Sequence, residues 1–180
     1  ADLLALSYKK TYGLPVIVSR SSNNYGPYQH PEKFIPLFIT NLLEDKKVPL
    51  YGHGLNIRDW LFVVDNCKAI DLIMRQGKLG EVYNIGAGAE KKNIEIAVKL
   101  LELLRKTKNY IEFVKDRPGH DKRYSINSKK VRNMGWAPEV DFDDGLKATI
   151  EWYKANEWWW KKIKNRSYQR YYKEQYSNRQ

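Results

Sequence analysis

The chain has 180 residues, of which 42% are apolar and 13% aromatic. This length suits one domain or one and a half, and this composition excludes disorder over most of the chain. Because there is no apolar run of about eighteen residues and no visible leader, we expect neither a membrane span nor a signal peptide.

The net charge of +11 is concentrated near the C-terminus, where residues 161–180 hold seven Lys or Arg residues and one acid. Basic residues interleaved with tyrosines can contact the phosphates of a nucleic acid. Such runs are more often solvated faces or packing arms, so we expect no nucleic-acid partner and treat residues 161–180 as an appended tail. The single cysteine, Cys67, excludes internal disulfides, fits a cytoplasmic protein, and is expected on a buried helix face.

The first elements are typical of an α/β protein. Residues 1–12 carry Leu3, Leu4, Tyr8 and Tyr12 at helical spacing, and Gly13 ends this helix. The chain starts inside this helix without Met, so we expect that a preceding segment is absent. Residues 14–20 are a β-branched run that predicts a buried strand. A helix followed by a buried strand predicts a parallel sheet, with its ligand crevice at the carboxyl ends of the strands.

A long polar loop, residues 21–36 (SSNNYGPYQHPEKFIP), begins at that crevice. It concentrates amide, aromatic and charged side chains between two regular elements. Because loops held by a rigid scaffold often carry binding groups, we predict that it forms one wall of a small-molecule site.

The rest of the chain alternates helical and strand patterns. Helices are predicted at residues 32–44, 65–76, 94–104, 128–135 and 142–158, with N-caps at Asp65, Asn93, and Asn127 or Ser128. Strands or extended segments are predicted at residues 48–51, 56–62, 81–85 and 111–114. In the helix at 65–76, the residues expected to face inward are Ala69, Ile70, Ile73 and Met74.

Several polar groups lie beside these strand ends and helix starts. They are Asn23, Asn24, Arg58 with Asp59, Asn93, and residues 116–120. Arginine forks and helix N-termini both favour phosphate, so together these groups predict a pocket for a phosphorylated ligand. Singly, each has a structural alternative: Arg58 can pair with Asp59, and Asn93 can be only a cap.

The residues alone offer no catalytic centre. The three histidines, His30, His53 and His120, lack metal-ligand spacing, and neither a G-x-S-x-G elbow nor a complete dinucleotide fingerprint is present. We therefore expect no metal site and predict the ligand-binding part of an α/β enzyme whose chemistry lies elsewhere.

Four stretches resemble a known family. They are SSNNYGPYQHPEKFIP, VPLYGHGLNIRDWLFVVDNCKAIDL, GEVYNIGAGAEKKNIEI and DRPGHDKRYSINSKKVRNMGW. They are similar to the C-terminal half of nucleotide-sugar 4,6-dehydratases, and best match the dTDP-glucose 4,6-dehydratase family of extended short-chain dehydrogenase/reductases. The R-D-W and Y-N-I-G pieces specify only the superfamily, whereas the S-N-N-Y-G-P-Y and D-R-P-G-H-D pieces point to the dehydratases.

The resemblance implies a Rossmann-like α/β fold, of which this chain is mostly the smaller mixed α/β substrate-binding domain. It divides the chain into residues 1–30 as a remnant of the NAD-binding domain, residues 31–160 as the substrate domain, and residues 161–180 as the basic tail. It also implies a cytoplasmic, homodimeric NAD-dependent lyase that converts dTDP-glucose to its 4-keto-6-deoxy product for rhamnose and related deoxysugars. In that reaction NAD is reduced transiently.

Site residues carried over from the family cover the predicted pocket. Asn23 would contact the substrate, and Asn24 the cofactor. The nucleotide-sugar pocket would be lined by Lys33, Phe34, Ile35, Pro36, Leu37 and Phe38, with Pro49, Leu50 and Tyr51 near the base. The diphosphate would lie on Arg58 and Asn93, and the loop closing over the nucleotide would be Asp116, Arg117, Pro118, Gly119 and His120.

The family's glycine-rich cofactor loop, Thr-Asp-Glu group and Tyr-x-x-x-Lys pair are missing from these 180 residues. The chain alone is therefore predicted to be inactive and to hold NAD weakly. We also expect residues 14–20 to expose an edge that self-association or the tail covers.

Three alternatives stay open at this point. One is another sugar-nucleotide enzyme, such as a UDP-sugar epimerase or decarboxylase. Another is a basic nucleic-acid-binding module that uses the tail. The last is a dimerisation piece with residues 158–160 (WWW) at its interface.

Overall fold

A computed structural model describes residues 1–164 and 166–176. The helices in this part are α1 (Asp2–Tyr12), α2 (Phe34–Leu43), α3 (Val63–Gln76), α4 (Asn93–Leu103), α5 (Lys129–Arg132), α6 (Phe142–Ala155), α7 (Glu157–Ile163) and α8 (Arg166–Tyr176), with a 3-10 turn at Lys108–Tyr110. The strands are β1 (Val18–Ser21), β2 (Asn23–Tyr25), β3 (Val48–Tyr51), β4 (Ile57–Phe62), β5 (Val82–Ile85), β6 (Glu90–Lys92), β7 (Ile111–Val114) and β8 (Arg123–Tyr124). None of the described helices is long and apolar enough to cross a membrane.

The strands form three small sheets that are mainly parallel. Strand β1 pairs with β5, and β3 pairs with β7, both in parallel. In the third sheet β4 lies between β2 and β6 and also pairs with β8; only its pairing with β6 is antiparallel. Parallel strands joined through helices confirm the predicted mixed α/β class.

Two apolar cores surround these sheets. The larger packs α2, α4, α6, α7 and α8 around Phe38, Leu100 and Trp160. The smaller joins β5, α3 and α5 around Ile73, Ile85 and Trp136, and β1 pairs with its strand β5. The segments around β1 therefore come from widely separated parts of the chain. The predicted division into residues 1–30 and residues 31–160 as two domains stays a prediction.

The first strand is shorter than the sequence predicts. Strand β1 begins only at Val18, which is the one buried residue of that strand. Pro15 has no N–H to donate to a ladder, and the N–H of Val16 is used by the carbonyl of Leu14, 2.9 Å away. Residues 14–17 therefore lead into the strand without belonging to it, whereas Gly13 ends α1 in the left-handed conformation, as predicted.

The buried face of α3 differs from the predicted one. Asp65, Ala69 and Ile73 are buried at spacing i, i+4, i+8, whereas Ile70 and Met74 are exposed. Ile70 and Met74 each follow a buried residue by one position, and one position along a helix corresponds to a rotation of about 100° away from the buried face. The same geometry leaves Cys67 exposed, so its predicted burial is wrong.

Asp65 is not the N-cap that the sequence predicts. Helix α3 begins at Val63, and the Asp65 carboxylate instead accepts hydrogen bonds from the backbone N–H groups of Glu139 and Val140 at 3.1 and 3.0 Å.

Two other predicted helices differ in length from the observed ones. The helix predicted at residues 128–135 is a single turn at Lys129–Arg132, and the helix predicted at residues 142–158 is broken at Asn156 into α6 and α7.

The described part of the tail is not an appendage. Tyr168, Tyr172 and Tyr176 of α8 repeat every four residues and pack on the larger core. Of the tryptophans at 158–160, Trp160 is fully buried and donates to the carbonyl of Tyr153 at 2.8 Å, whereas Trp158 is exposed. The tail covers α2 and β3 rather than the edge of β1, so that part of the expectation is wrong.

Candidate functional site

One cavity of about 250 Å³ collects most of the predicted site residues. It lies where the N-terminal ends of α2 and α4 meet β3, β4, α8 and the loop after β7. The lining residues are Asn23, Glu32, Lys33, Phe34, Leu37, Phe38, Pro49, Leu50, Tyr51, Arg58, Trp60, Asn93, Arg117, His120, Tyr171, Gln175 and Tyr176.

Strands β2 and β4 place three polar groups on one face of their sheet. Asn23 is the register partner of Trp60 in the parallel pair. Because side chains alternate along a strand, Arg58 and Trp60 point to the cavity, while Asn24 and Asp59 point away from it. Asp59 is held on that opposite side by the N–H of Ala89, at 2.8 Å.

Arg58 is buried in this wall without a carboxylate partner among the described residues. Its guanidinium donates to the backbone carbonyls of Ile57 and Asp121 at 2.7 and 2.9 Å. Burial lowers the pKa of Arg58, while the nearby carboxylate charge of Asp121 raises it and the positive charge of Arg117 lowers it; the pKa stays below its usual value. A buried guanidinium with neutral acceptors keeps its full positive charge, which suits the site to an anion.

Helix α4 begins at the same place. Asn93 is its first residue rather than its N-cap, because Lys92 occupies the cap position and donates its N–H to the Glu95 carboxylate at 2.9 Å. The Asn93 side-chain oxygen is buried with no hydrogen-bond partner in the described part of the chain. The positive end of the α4 dipole thus faces the cavity beside Arg58.

The loop after β7 fixes an imidazole against an aromatic ring. The Nδ1 atom of His120 lies 2.6 Å from the Asp116 carboxylate, and its ring meets Tyr51 edge-on at 6.0 Å. Burial raises the pKa of Asp116, but the hydrogen bonds with His120 and with the backbone N–H of Arg117, together with the positive charges nearby, leave that pKa below its usual value. Tyr51 and His120 together form an aromatic corner of the cavity.

Six predicted site residues do not line this cavity. Ile35 and Pro36 are buried in the core on the far side of α2, and Asn24 faces the opposite side of β2. Asp116 does not line the cavity but lies within hydrogen-bond distance of the His120 ring, and Pro118 and Gly119 form an exposed turn.

The pocket residues that sequence reasoning missed come mainly from α8. The ring of Tyr176 stacks on Tyr51 with centroids 5.8 Å apart, and Gln175 donates to the Tyr51 hydroxyl at 2.8 Å. The tyrosines at 168, 172 and 176 were the available signal, because this spacing predicts a packed helix face. Glu32 and Trp60 were also missed; their neighbours Lys33 and Arg58 were named instead.

A buried lysine at the end of α7 holds α8 in place. The Lys164 ammonium lies 2.7 Å from the Glu44 carboxylate and 3.1 Å from the side-chain oxygen of Asn41. Asn41 in turn donates to the Tyr172 hydroxyl at 3.1 Å. Helix α2 therefore lines the cavity with its first turns and anchors α8 with its last.

Known proteins share both this sequence and this fold. The chain is 48% identical over 188 residues to a dTDP-glucose 4,6-dehydratase of Escherichia coli, covering all of this chain and 52% of that protein. An enzyme of the same name from an Actinoplanes species is 52% identical over 161 residues, covering 89% and 50%. The chain thus spans about half the length of the relatives it matches.

Solved structures agree. A Bacillus anthracis dTDP-glucose 4,6-dehydratase in complex with NAD is 57% identical, with a TM-score of 0.84 over 90% of this chain and 52% of that one. A UDP-glucose 4-epimerase from Thermotoga maritima, with UDP-glucose, is 28% identical, with a TM-score of 0.81 over 87% and 51%.

These similarities confirm the resemblance that the four sequence stretches predict. The family model described as GDP-mannose 4,6 dehydratase matches residues 1–149, which is most of the chain. The chain therefore belongs to the GDP-mannose 4,6 dehydratase family.

Proposed function

We propose that this chain is the nucleotide-sugar-binding part of a dTDP-glucose 4,6-dehydratase. The observation that carries the proposal is Arg58, a buried guanidinium with only neutral acceptors among the described residues, set beside the N-terminus of α4 in one cavity. Dehydratases of that name are about half identical to the chain.

Each part of the cavity suits one part of such a ligand. Arg58 and the side-chain amide of Asn93 bind the diphosphate at the positive end of the α4 dipole. Tyr51 and His120 offer aromatic surface for the base, and Pro49 closes that corner. Asn23, two residues beyond the carboxyl end of β1, is left to bind the sugar.

Asn24 is suited to the cofactor side. Its Nδ2 atom donates to the carbonyl of Ser22 at 3.1 Å, and its side-chain oxygen is buried with no partner among the described residues. An unpaired buried acceptor fits an amide or hydroxyl donor of NAD. When bound, NAD supplies the hydride acceptor for the sugar, and Asn24 would orient it by this one hydrogen bond.

The chain by itself is proposed to bind and not to catalyse. No Tyr-x-x-x-Lys sequence occurs among the 180 residues. The lyase reaction, the homodimer and the cytoplasmic location are proposals for the whole protein.

A panel of ligands tests this function. The isolated chain should bind dTDP-glucose saturably, as followed by ligand-observed NMR, and should form no keto sugar from dTDP-glucose and NAD. UDP-glucose, GDP-mannose and a short oligonucleotide serve as the comparison ligands. Binding of another sugar nucleotide but not dTDP-glucose would contradict the substrate, and binding of the oligonucleotide alone would contradict the function.

A further inference from the structure

Trp60 has a hydrogen-bond donor that no described residue uses. Its side chain is 4% exposed and lines the cavity, and its indole Nε1 is buried with no acceptor in residues 1–164 and 166–176. The ring itself is well packed, edge-on to Tyr25 at 6.4 Å and tilted against Phe34 at 6.0 Å. The unpaired N–H is therefore the only unsatisfied feature of an otherwise fixed side chain.

An indole N–H can only donate, and leaving a buried donor unpaired destabilises a fold. Native proteins leave few such groups, so each one calls for a physical reason. The other nearly buried tryptophan outside the α6–α7 segment, Trp136, gives the comparison: at 5% exposure, its indole donates to the carbonyl of Asp65 at 3.0 Å. The lack of an acceptor at Trp60 is thus not a general property of tryptophan in this protein.

The position of Trp60 suggests what the acceptor is. It lies directly across from Asn23 in the parallel pair and two residues beyond Arg58 on the same strand face. Arg58 is placed to hold a diphosphate, and Trp60 is one step nearer the carboxyl end of β4, where the sugar would follow. A phosphate oxygen or a sugar hydroxyl at this point accepts from an indole N–H.

We propose that the indole N–H of Trp60 donates a hydrogen bond to an oxygen of the bound nucleotide sugar, at or just beyond its diphosphate. This inference rests on the proposed function and adds a ligand-binding residue to it. The free protein leaves the donor unpaired, and the ligand completes it, so the bond is made only on binding.

Replacement of Trp60 by benzothienylalanine tests the bond, because sulfur replaces the N–H while the shape of the ring is retained. The affinity of the 180-residue chain for dTDP-glucose should fall about tenfold. The melting temperature should stay equal or rise. The same replacement at Trp136 should lower the melting temperature and leave the affinity unchanged, since that N–H already has its acceptor.

Titration with dTDP alone distinguishes the two acceptors. An equal loss of affinity for dTDP and dTDP-glucose assigns the acceptor to the diphosphate, and a loss for dTDP-glucose only assigns it to the hexose. Trp60→Phe, which also lacks the N–H, should show at least as large a loss.

Two results would overturn the inference while the proposed function stands. One is undiminished affinity with benzothienylalanine at position 60. The other is a drop in melting temperature there as large as at position 136, because it would mean that the N–H is already bonded within the protein. If the unaltered chain bound no dTDP or dTDP-glucose, the proposed function would fail, and the Trp60 bond with it.

Discussion

Arg58 is a buried charged side chain in the cavity, and its replacement tests the proposed function. In the Arg58→Ala variant we expect the affinity for dTDP to fall at least tenfold, because a charge-assisted fork to the diphosphate is lost. The free energy of unfolding should change by less than about 1 kcal/mol. The Asp121 carbonyl keeps a second donor, the Asn56 amide at 3.2 Å, and no described carboxylate loses a partner. Calorimetric titration and urea unfolding measure the two quantities.

Arg75→Ala is the matched control, because Arg75 is exposed and pairs only with Asp71 on the surface of α3. It should change neither quantity appreciably. If Arg58→Ala lowered stability strongly and left dTDP affinity intact, Arg58 would be a structural residue and its assignment to the ligand would fail.

Arg58 and Asn93 could be predicted from the sequence because their chemistry is local: an Arg in a strand and an Asn at a helix start. Trp60 could not, because an indole in an apolar run is typical of a core. Its unpaired N–H becomes visible only when every neighbouring acceptor is placed. The predicted burial of Cys67 was wrong for a similar reason: packing decides which face of α3 is buried, and the apolar residues of its sequence do not reveal that face.

Helix α8 is predicted to be necessary for both stability and the pocket. Removal of residues 166–180 should lower the melting temperature by several degrees, because Tyr168, Tyr172 and Tyr176 leave the larger core. It should also weaken dTDP binding, because Tyr176 and Gln175 no longer support Tyr51. Thermal unfolding and titration measure these effects.

The control for that truncation removes charge and keeps the packing. Its four substitutions, all at exposed positions of α7 and α8, are Lys161→Gln, Lys162→Gln, Arg170→Gln and Lys173→Gln. Both quantities should stay near those of the unaltered chain. A large loss of nucleotide affinity in this variant, or steep salt dependence of that affinity, would favour the electrostatic role of the tail that we do not expect.

The anchor of α8 predicts a loss of stability in acid. Burial raises the pKa of Glu44, but hydrogen bonds from Lys164 and Lys46 outweigh it and lower that pKa below 4.5. A carboxyl whose pKa is lower in the folded state stabilises the fold above its unfolded pKa, and this contribution is lost as the pH falls through the folded value. Unfolding followed from pH 6 downwards should therefore show a decline below about pH 4.5.

Glu44→Gln should flatten that decline, because the amide does not titrate. Glu157→Gln, which removes an exposed partner of Lys161, should leave it unchanged. An identical acid profile for Glu44→Gln and the unaltered chain would show that the anchor contributes nothing to the pH dependence.

The positions of most helices and strands could be predicted from the periodicity of apolar residues, but the residues at which they begin and end could not. Residues 56–62 and 111–114 were placed correctly, because their apolar patterns match strands β4 and β7. The start of β1 was missed because Pro15 interrupts a β-branched run, and the break at Asn156 because the pattern continues through it. The tail was wrongly predicted to be an appendage because its basic residues drew more weight than the regular spacing of Tyr168, Tyr172 and Tyr176.

At the scale of the whole molecule, the N-terminal helix exposes apolar side chains. Leu3 is 85% and Leu4 64% exposed, and β1 pairs with only β5 among the described strands. Exposed leucines beside an open strand edge favour association. Sedimentation velocity should show the chain associating with increasing concentration.

The double variant Leu3→Ser/Leu4→Ser should shift that equilibrium towards monomer. Leu55→Ser, at an exposed leucine in the loop between β3 and β4, is the control and should not. A monomer at every concentration in the unaltered chain would contradict the predicted self-association.

The proposed function depends on one cavity binding a nucleoside diphosphate. A crystal structure of the chain with dTDP tests this most directly. We expect the diphosphate on Arg58 and the Asn93 side chain, the thymine against Tyr51, and the Trp60 indole N–H within hydrogen-bond distance of a ligand oxygen. Nucleotide bound outside this cavity, or with its diphosphate away from Arg58, would contradict the account.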